Sequence, residues 1–125
     1  MIKLGEQTRK MWTLIFNAQT HEIEASEGIY SIFELEPRAD DVAKLYSRLV
    51  PMIHPDDFDN EVEQADESLE TRVLRGEEFR IRFPDGRIKW IRKAPGLLLE
   101  EVKMLRTFQD ITEEKARIQL LERQA

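Results

Sequence analysis

Arg106 is the residue with the clearest chemical prospects in this sequence. It lies in an alternating stretch, Val102 to Gln109, on a period-two face with Val102, Met104 and Phe108, which is expected to point inward. A buried guanidinium needs a partner, because an isolated buried charge is very costly. Either Arg106 pairs with an acidic side chain or holds an anionic ligand bidentately, or it snorkels out of a strand edge. His54, Asp56 and Asp57 stand close together, but one turn supplies too few converging ligands for a metal. Pro55-Asp56-Asp57 reads instead as a helix opening, with His54 as a turn residue before it. Most carboxylates fall on one acidic helical stretch, where a solvated face explains them. No Ser-His-Asp arrangement, phosphate loop or metal-ligand spacing occurs, so no catalytic or metal-binding residue is assigned and no enzyme is expected. There is no cysteine, hence no disulfide, thiolate metal site or cysteine nucleophile.

The strongest element signal is Glu78 to Ile91, two alternating runs around Pro84-Asp85-Gly86. Pro84 and Asp85 suit the centre of a type I turn, and Gly86 the left-handed position after it. This predicts a three-residue hairpin loop with a bulge. Phe83 then faces Arg87, Ile81 faces Lys89 and Phe79 faces Ile91. One face carries Phe79, Ile81, Phe83 and Ile91, the other Arg80, Arg82, Ile88 and Trp90. A two-residue loop would pair Ile81 with Trp90 and exchange the faces; the turn residues favour the bulged register.

The other elements follow in order. Residues 1–10 form a short amphipathic helix or a disordered leader. Met11 to Asn17 alternates as a strand, with Trp12, Leu14 and Phe16 on one side, and Thr20 to Ala25 makes its hairpin partner. Ser26 suits an N-cap, and Ile29, Ile32, Phe33 and Leu35 follow at helical spacing until Pro37 ends the helix by Glu36. Asp40 starts a helix with Val42, Leu45, Leu49 and Val50 on its apolar side, stopped by Pro51. Phe58, Val62, Ala65, Leu69 and Val73 form one stripe on the long acidic helix, closed by Gly76. After the central hairpin, Pro95-Gly96 ends or interrupts the strand, and Leu97 to Glu101 is a loop or its continuation. Beyond the last strand, Asp110 or Thr112 caps a helix, with Glu113 as capping-box partner. Ile111, Ile118, Leu121 and Ala125 form a short heptad seam on it, broken at Glu114. Strands, then helices, then strands predict an α+β fold with one antiparallel sheet of five strands.

The chain of 125 residues reads as one domain. Its net charge of −6 argues against a nucleic-acid or anionic-membrane surface. No apolar run is long enough to span a membrane, and Met1 to Lys10 lacks the apolar core of a secretory signal, so a cytoplasmic location is expected.

The order of these stretches resembles the PAS superfamily with its C-terminal PAC motif. The residues that carry the resemblance are Trp12 to Asn17, Gly28-Ile29-Tyr30-Ser31-Ile32-Phe33, His54-Pro55-Asp56-Asp57, Glu78 to Arg82, Asp85 to Ile91 and Gln109-Asp110-Ile111-Thr112-Glu113. Each motif alone is weak; their order and spacing together are specific. The resemblance implies a PAS-like five-stranded antiparallel sheet with helices on one face, a sensor domain over 11–111 and a connector helix over 112–125. It implies a signal-transduction sensor and dimerisation module, joined to an effector of histidine kinase or diguanylate cyclase/phosphodiesterase type. The pocket it implies is lined by Trp12, Leu14, Phe16, Ile29, Phe33, Phe79, Ile81, Ile91, Met104, Arg106 and Phe108. The same side chains also suffice to fill a core, so a small-molecule sensor and a ligand-free dimerisation or docking scaffold both stand. Arg106 departs from the resembling motif, which often has Gly four residues before the Asp. The light-sensing relatives use a cysteine, so covalent flavin chemistry is not expected, although non-covalent flavin stays open. Only His21 and His54 could ligate iron, and haem is not expected. A homodimer is expected through Ile111, Ile118, Leu121 and Ala125. Ile88 and Trp90 form an outer-face interface that residues 1–10 and a dimer mate are expected to cover together, with the stems of Arg80 and Arg82 as the alternative cover.

Overall fold

The computed structural model describes residues 11–124. The expected leader over 1–10 and the seam position Ala125 lie outside the described residues. The elements are β1 (Met11–Asn17), β2 (Ile23–Ala25), α1 (Glu27–Phe33), α2 (Asp41–Leu49), a 3-10 turn (Val50–Met52), α3 (Pro55–Thr71), β3 (Glu77–Arg82), β4 (Ile88–Lys93), β5 (Leu97–Leu98), β6 (Lys103–Asp110) and α4 (Thr112–Gln124). The fold is α+β, and the sheet is antiparallel in the order β2-β1-β6-β4-β3. The two N-terminal strands thus meet the C-terminal ones through β1 and β6. β5 is a two-residue continuation of β4 along β6, after a break at Ala94–Gly96.

The central hairpin takes the bulged register. Phe79 pairs with Ile91 and Ile81 with Lys89. The Phe83 N–H donates to the Arg87 carbonyl, and Gly86 sits at φ 93. Phe79, Ile81, Phe83 and Ile91 are all buried on one face. With Leu14, Ile29, Phe33, Leu45 and Phe108 they make the core between the sheet and the helices α1 and α2.

Several helix limits differ from the sequence reading, for local reasons. α1 stops at Phe33, three residues before the expected end, because Glu34 turns left-handed at φ 55 and sends its N–H back to the Ser31 and Tyr30 carbonyls. Ser26 stands at the N-cap, but its Oγ accepts from the Thr13 N–H of β1 rather than from α1. On α2 the expected apolar face is turned by one position: Asp41, Leu45 and Leu49 are buried, and Val42 is 50% exposed. α2 ends at Leu49, ahead of Pro51 as expected, and Pro51 sits in the 3-10 turn that follows. α3 ends at Thr71 with Arg72 left-handed at φ 63, so Gly76 is not its cap. At the start of α3, His54 Nδ1 accepts from the Asp56 N–H at 3.1 Å. Asp57 clamps Arg80 of β3 with bonds at 3.0 Å from Nε and 2.8 Å from Nη2.

Gly28 shows how tightly α1 meets β1. A Cβ at that position would lie 1.7 Å from the Trp12 indole carbon Cδ2. Gly28→Ala is expected to cost about 2 kcal/mol, because the strain of displacing the indole outweighs the roughly 1 kcal/mol gained in helix propensity. Urea unfolding, followed by the change in tryptophan emission, checks this.

Candidate functional site

Between the sheet and α2–α3 lies a cavity of about 180 Å³. Its floor is Leu14 and Phe16 of β1, Ile23 of β2, Phe79 of β3, Lys93 of β4, and Met104, Arg106 and Phe108 of β6. Phe33, Tyr46, Leu49, Val50 and Ile53 close one side, and Phe58, Glu61, Val62 and Ala65 of α3 the other. Phe58 and Val62 are 38% and 46% exposed, so the stripe of α3 is not fully buried and the α3 side is where the cavity meets solvent. Stacked rings stiffen the opposite wall: Phe16 on Tyr46 with centroids 5.5 Å apart, and Tyr46 on His21 at 4.2 Å.

Seven of the pocket residues chosen from the sequence line this cavity: Leu14, Phe16, Phe33, Phe79, Met104, Arg106 and Phe108. Trp12, Ile29, Ile81 and Ile91 do not. Ile29, Ile81 and Ile91 are fully enclosed in the core, and Trp12 packs against Gly28. The three isoleucines pack into the core rather than around the cavity.

Arg106 points inward and is only 6% exposed, which excludes snorkelling from a strand edge. Its guanidinium donates to the Arg75 carbonyl at 3.1 Å and to Ser68 Oγ at 3.4 Å. The expected acidic partner is not there: among the described residues no carboxylate lies in ion-pair contact with it. Burial pushes its pKa down, opposed by the charge of Glu77.

Beside it stands a cluster not picked out from the sequence. Lys93 is 8% exposed. Its Nζ lies 2.9 Å from Glu61 Oε1 and 3.4 Å from Glu77 Oε2. Glu61 Oε2 and Glu77 Oε2 are buried, and neither has hydrogen-bonding geometry to any donor among the described residues. Burial and the facing Arg106 cation push Lys93 down to about 8, against the pull of Glu77. The signal for Lys93 was present in the alternation, because the register that pairs Phe79 with Ile91 pairs Glu77 with Lys93 two steps on, on the same inward face. Glu61 had no such signal. Its place depends on how α3 lies over the sheet.

The other face is partly covered. Trp90 lies beneath Arg80, 5.3 Å from its centroid, and beneath Lys115 of α4 at 4.7 Å. Arg80, the alternative to cover by residues 1–10 and a dimer mate, lies over the indole together with Lys115 at the start of α4, and residues 1–10 lie outside the described residues. Asp110 caps α4, accepting from the Thr112 N–H at 3.0 Å and from Thr112 Oγ1 at 2.6 Å. Glu113 makes no capping box and pairs with Arg117 instead. Ile111 is 2% exposed and belongs to the core, so the solvent-facing apolar residues of α4 are Ile118, Leu120 and Leu121.

The molecule is therefore an α+β domain with a cavity between an antiparallel sheet and its helices, and with a helix leaving directly from a strand that walls the cavity. The family model for the PAS fold matches residues 22–94, more than half of the chain, and the chain belongs to that family. Its structure is similar to a sensory box histidine kinase/response regulator from Burkholderia thailandensis, with TM-score 0.74 and 23% identity over 97% of this chain and 92% of that one. It is also similar to the N-terminal domain of a diguanylate cyclase with PAS/PAC sensor from Marinobacter aquaeolei, with TM-score 0.68 and 19% identity over 84% of this chain and 98% of that one. A light-oxygen-voltage domain, from work on a flavin analogue, matches with TM-score 0.65 and 17% identity over 97% of this chain and 92% of that one. At these identities the likeness is one of fold. No curated protein matches the chain. Among the described residues, no helix is long and apolar enough to cross a membrane.

Proposed function

We propose that this PAS domain is a sensory module whose cavity takes a small molecule and whose last helix passes the resulting change to an effector. The observation that carries the reading is continuity along β6. Met104, Arg106 and Phe108 wall the cavity, and the same strand ends in Asp110, which caps α4. A ligand that favours one position of the β6 side chains thereby favours one setting of α4. It can shift that balance only by its difference in affinity for the two settings. The exposed Ile118 and Leu121 of α4 then report the setting through pairing with a second copy or through the join to an effector. Any catalysis belongs to that effector, of the kinase or cyclase kind found in the similar proteins. A cavity of about 180 Å³ favours a single ring, since about 150 Å³ holds benzene. We therefore do not assign a flavin, whose three fused rings need more room.

Native mass spectrometry of freshly purified protein, set against its denatured mass, tests the reading. Extra mass on the folded species, or on folded protein incubated with a cell extract of small molecules, is expected. A bare mass in both would leave a scaffold that only pairs or docks, and the same spectrum reads monomer against dimer.

A further inference from the structure

Resting on the reading of the cavity as a ligand site, we propose that its ligand is a small monocarboxylate with an apolar body of about one ring, the carboxylate held by Arg106. The charges around the cavity are unevenly divided. Lys93 takes both nearby carboxyl contacts, Glu61 at 2.9 Å and Glu77 at 3.4 Å. Arg106 faces the same cavity from the neighbouring strand and meets only neutral oxygens, the Arg75 carbonyl and Ser68 Oγ. A guanidinium offers five donors in a fixed fork, and two of these account for its protein contacts. A carboxylate matches the fork with two parallel, charge-assisted bonds, which are about twice as strong as neutral ones. The longest present contact, 3.4 Å to Ser68 Oγ, is the one most easily given up.

The rest of the cavity sets the size and character of the ligand's body. Phe16, Tyr46, Leu49, Val62 and Met104 offer apolar surface. A cavity of about 150 Å³ holds benzene, so about 180 Å³ holds one ring and little beyond its carboxyl group. A phosphate ester is disfavoured, because its dianion would meet a single guanidinium that has the Glu61 and Glu77 carboxyls beside it. The entrance is the α3 side, where Phe58 and Val62 reach solvent.

The test is an NMR titration of the folded protein with benzoate and with its neutral counterpart benzyl alcohol, followed by the methyl signal of Met104 and the side-chain NεH signal of Arg106. Benzoate is expected to shift both signals and to bind about tenfold or more tightly than benzyl alcohol, the 1.4 kcal/mol that charge assistance supplies. In Arg106→Met, which keeps the bulk and removes the charge, that preference is expected to vanish while benzyl alcohol still binds. If both probes bind the wild type equally, the cavity is a ligand site but the carboxylate assignment is wrong. If neither moves Met104, the cavity reading itself fails. The wild-type comparison decides between these outcomes even if Arg106→Met does not fold.

Discussion

Asp41→Ala is expected to lower the stability of the fold by about 3 kcal/mol, a large share of the 5–15 kcal/mol typical of a domain. Asp41 is 4% exposed at the first turn of α2. Its carboxylate accepts from Arg48 Nη1 at 2.7 Å, from the Arg38 N–H at 2.7 Å and from Tyr30 Oη at 2.9 Å. One side chain thereby ties α1, the loop before α2 and the last turn of α2 together. Truncation removes the anion and leaves the Arg48 guanidinium, which is 13% exposed, without its counter-charge. The low end of the range for a broken buried pair applies because Arg48 keeps its bond to the Glu36 carbonyl. Burial pushes the Asp41 carboxyl up, but the bonds from Arg38, Arg48 and Tyr30 outweigh it and hold the carboxyl below its ordinary 3.8. A carboxyl depressed in the folded state stabilises above its unfolded value, and that stabilisation is lost as pH falls through the folded one. The wild type should lose stability as pH drops below about 4, and Asp41→Asn should show a shallower acid loss. Urea unfolding between neutral pH and pH 3 measures both; an Asp41→Ala loss under 1 kcal/mol would contradict the assignment.

The same residue shows what periodicity can and cannot deliver. Helical spacing placed an apolar face on α2 and chose Val42 for it, because spacing counts hydrophobic side chains. Asp41 takes the inward place instead, through partners at Tyr30 and Arg48 that no local pattern relates to it. The hairpin register was legible because it is decided within a few residues, by Pro84, Asp85 and the positive φ of Gly86. Arg106 was legibly inward, since strand alternation fixes direction. Its partners were not legible, because Ser68 and Arg75 lie 38 and 31 positions away in the chain. The cavity was legible as a face and not as a space. Alternation assigns Ile81 and Ile91 to the same side as Phe79, yet only the placement of the helices decides which of them borders a void.

Replacing Glu61 and Glu77 together by glutamine is expected to cost about 3–5 kcal/mol, and adding Lys93→Met is expected to recover most of it. The carboxylates are the only anions in contact with Lys93 among the described residues, and the ammonium is 8% exposed with Arg106 as its neighbouring cation. Without them two buried cations face each other with no counter-charge. Glutamine keeps the shape, so the loss reads out charge rather than packing. Methionine at position 93 removes one of the two cations and fits a long side chain in the same space. Buried ions can be exchanged for apolar groups at little cost when all are exchanged together, and at high cost when one side alone is removed. The pH dependence supplies a second signature. Lys93 sits at about 8 in the folded protein, below its ordinary 10.5. Between these values the unfolded chain holds more protons than the folded one, so wild-type stability should climb with pH from about 8 to 10.5. Loss of the two carboxylates lowers the folded value further, so in the double variant the climb should begin at lower pH. With Lys93→Met added, this Lys93 climb should be absent. Chemical unfolding of the four proteins across neutral to alkaline pH separates these cases. Equal losses in the double and triple variants would show that Lys93 is not held by this pair of carboxylates.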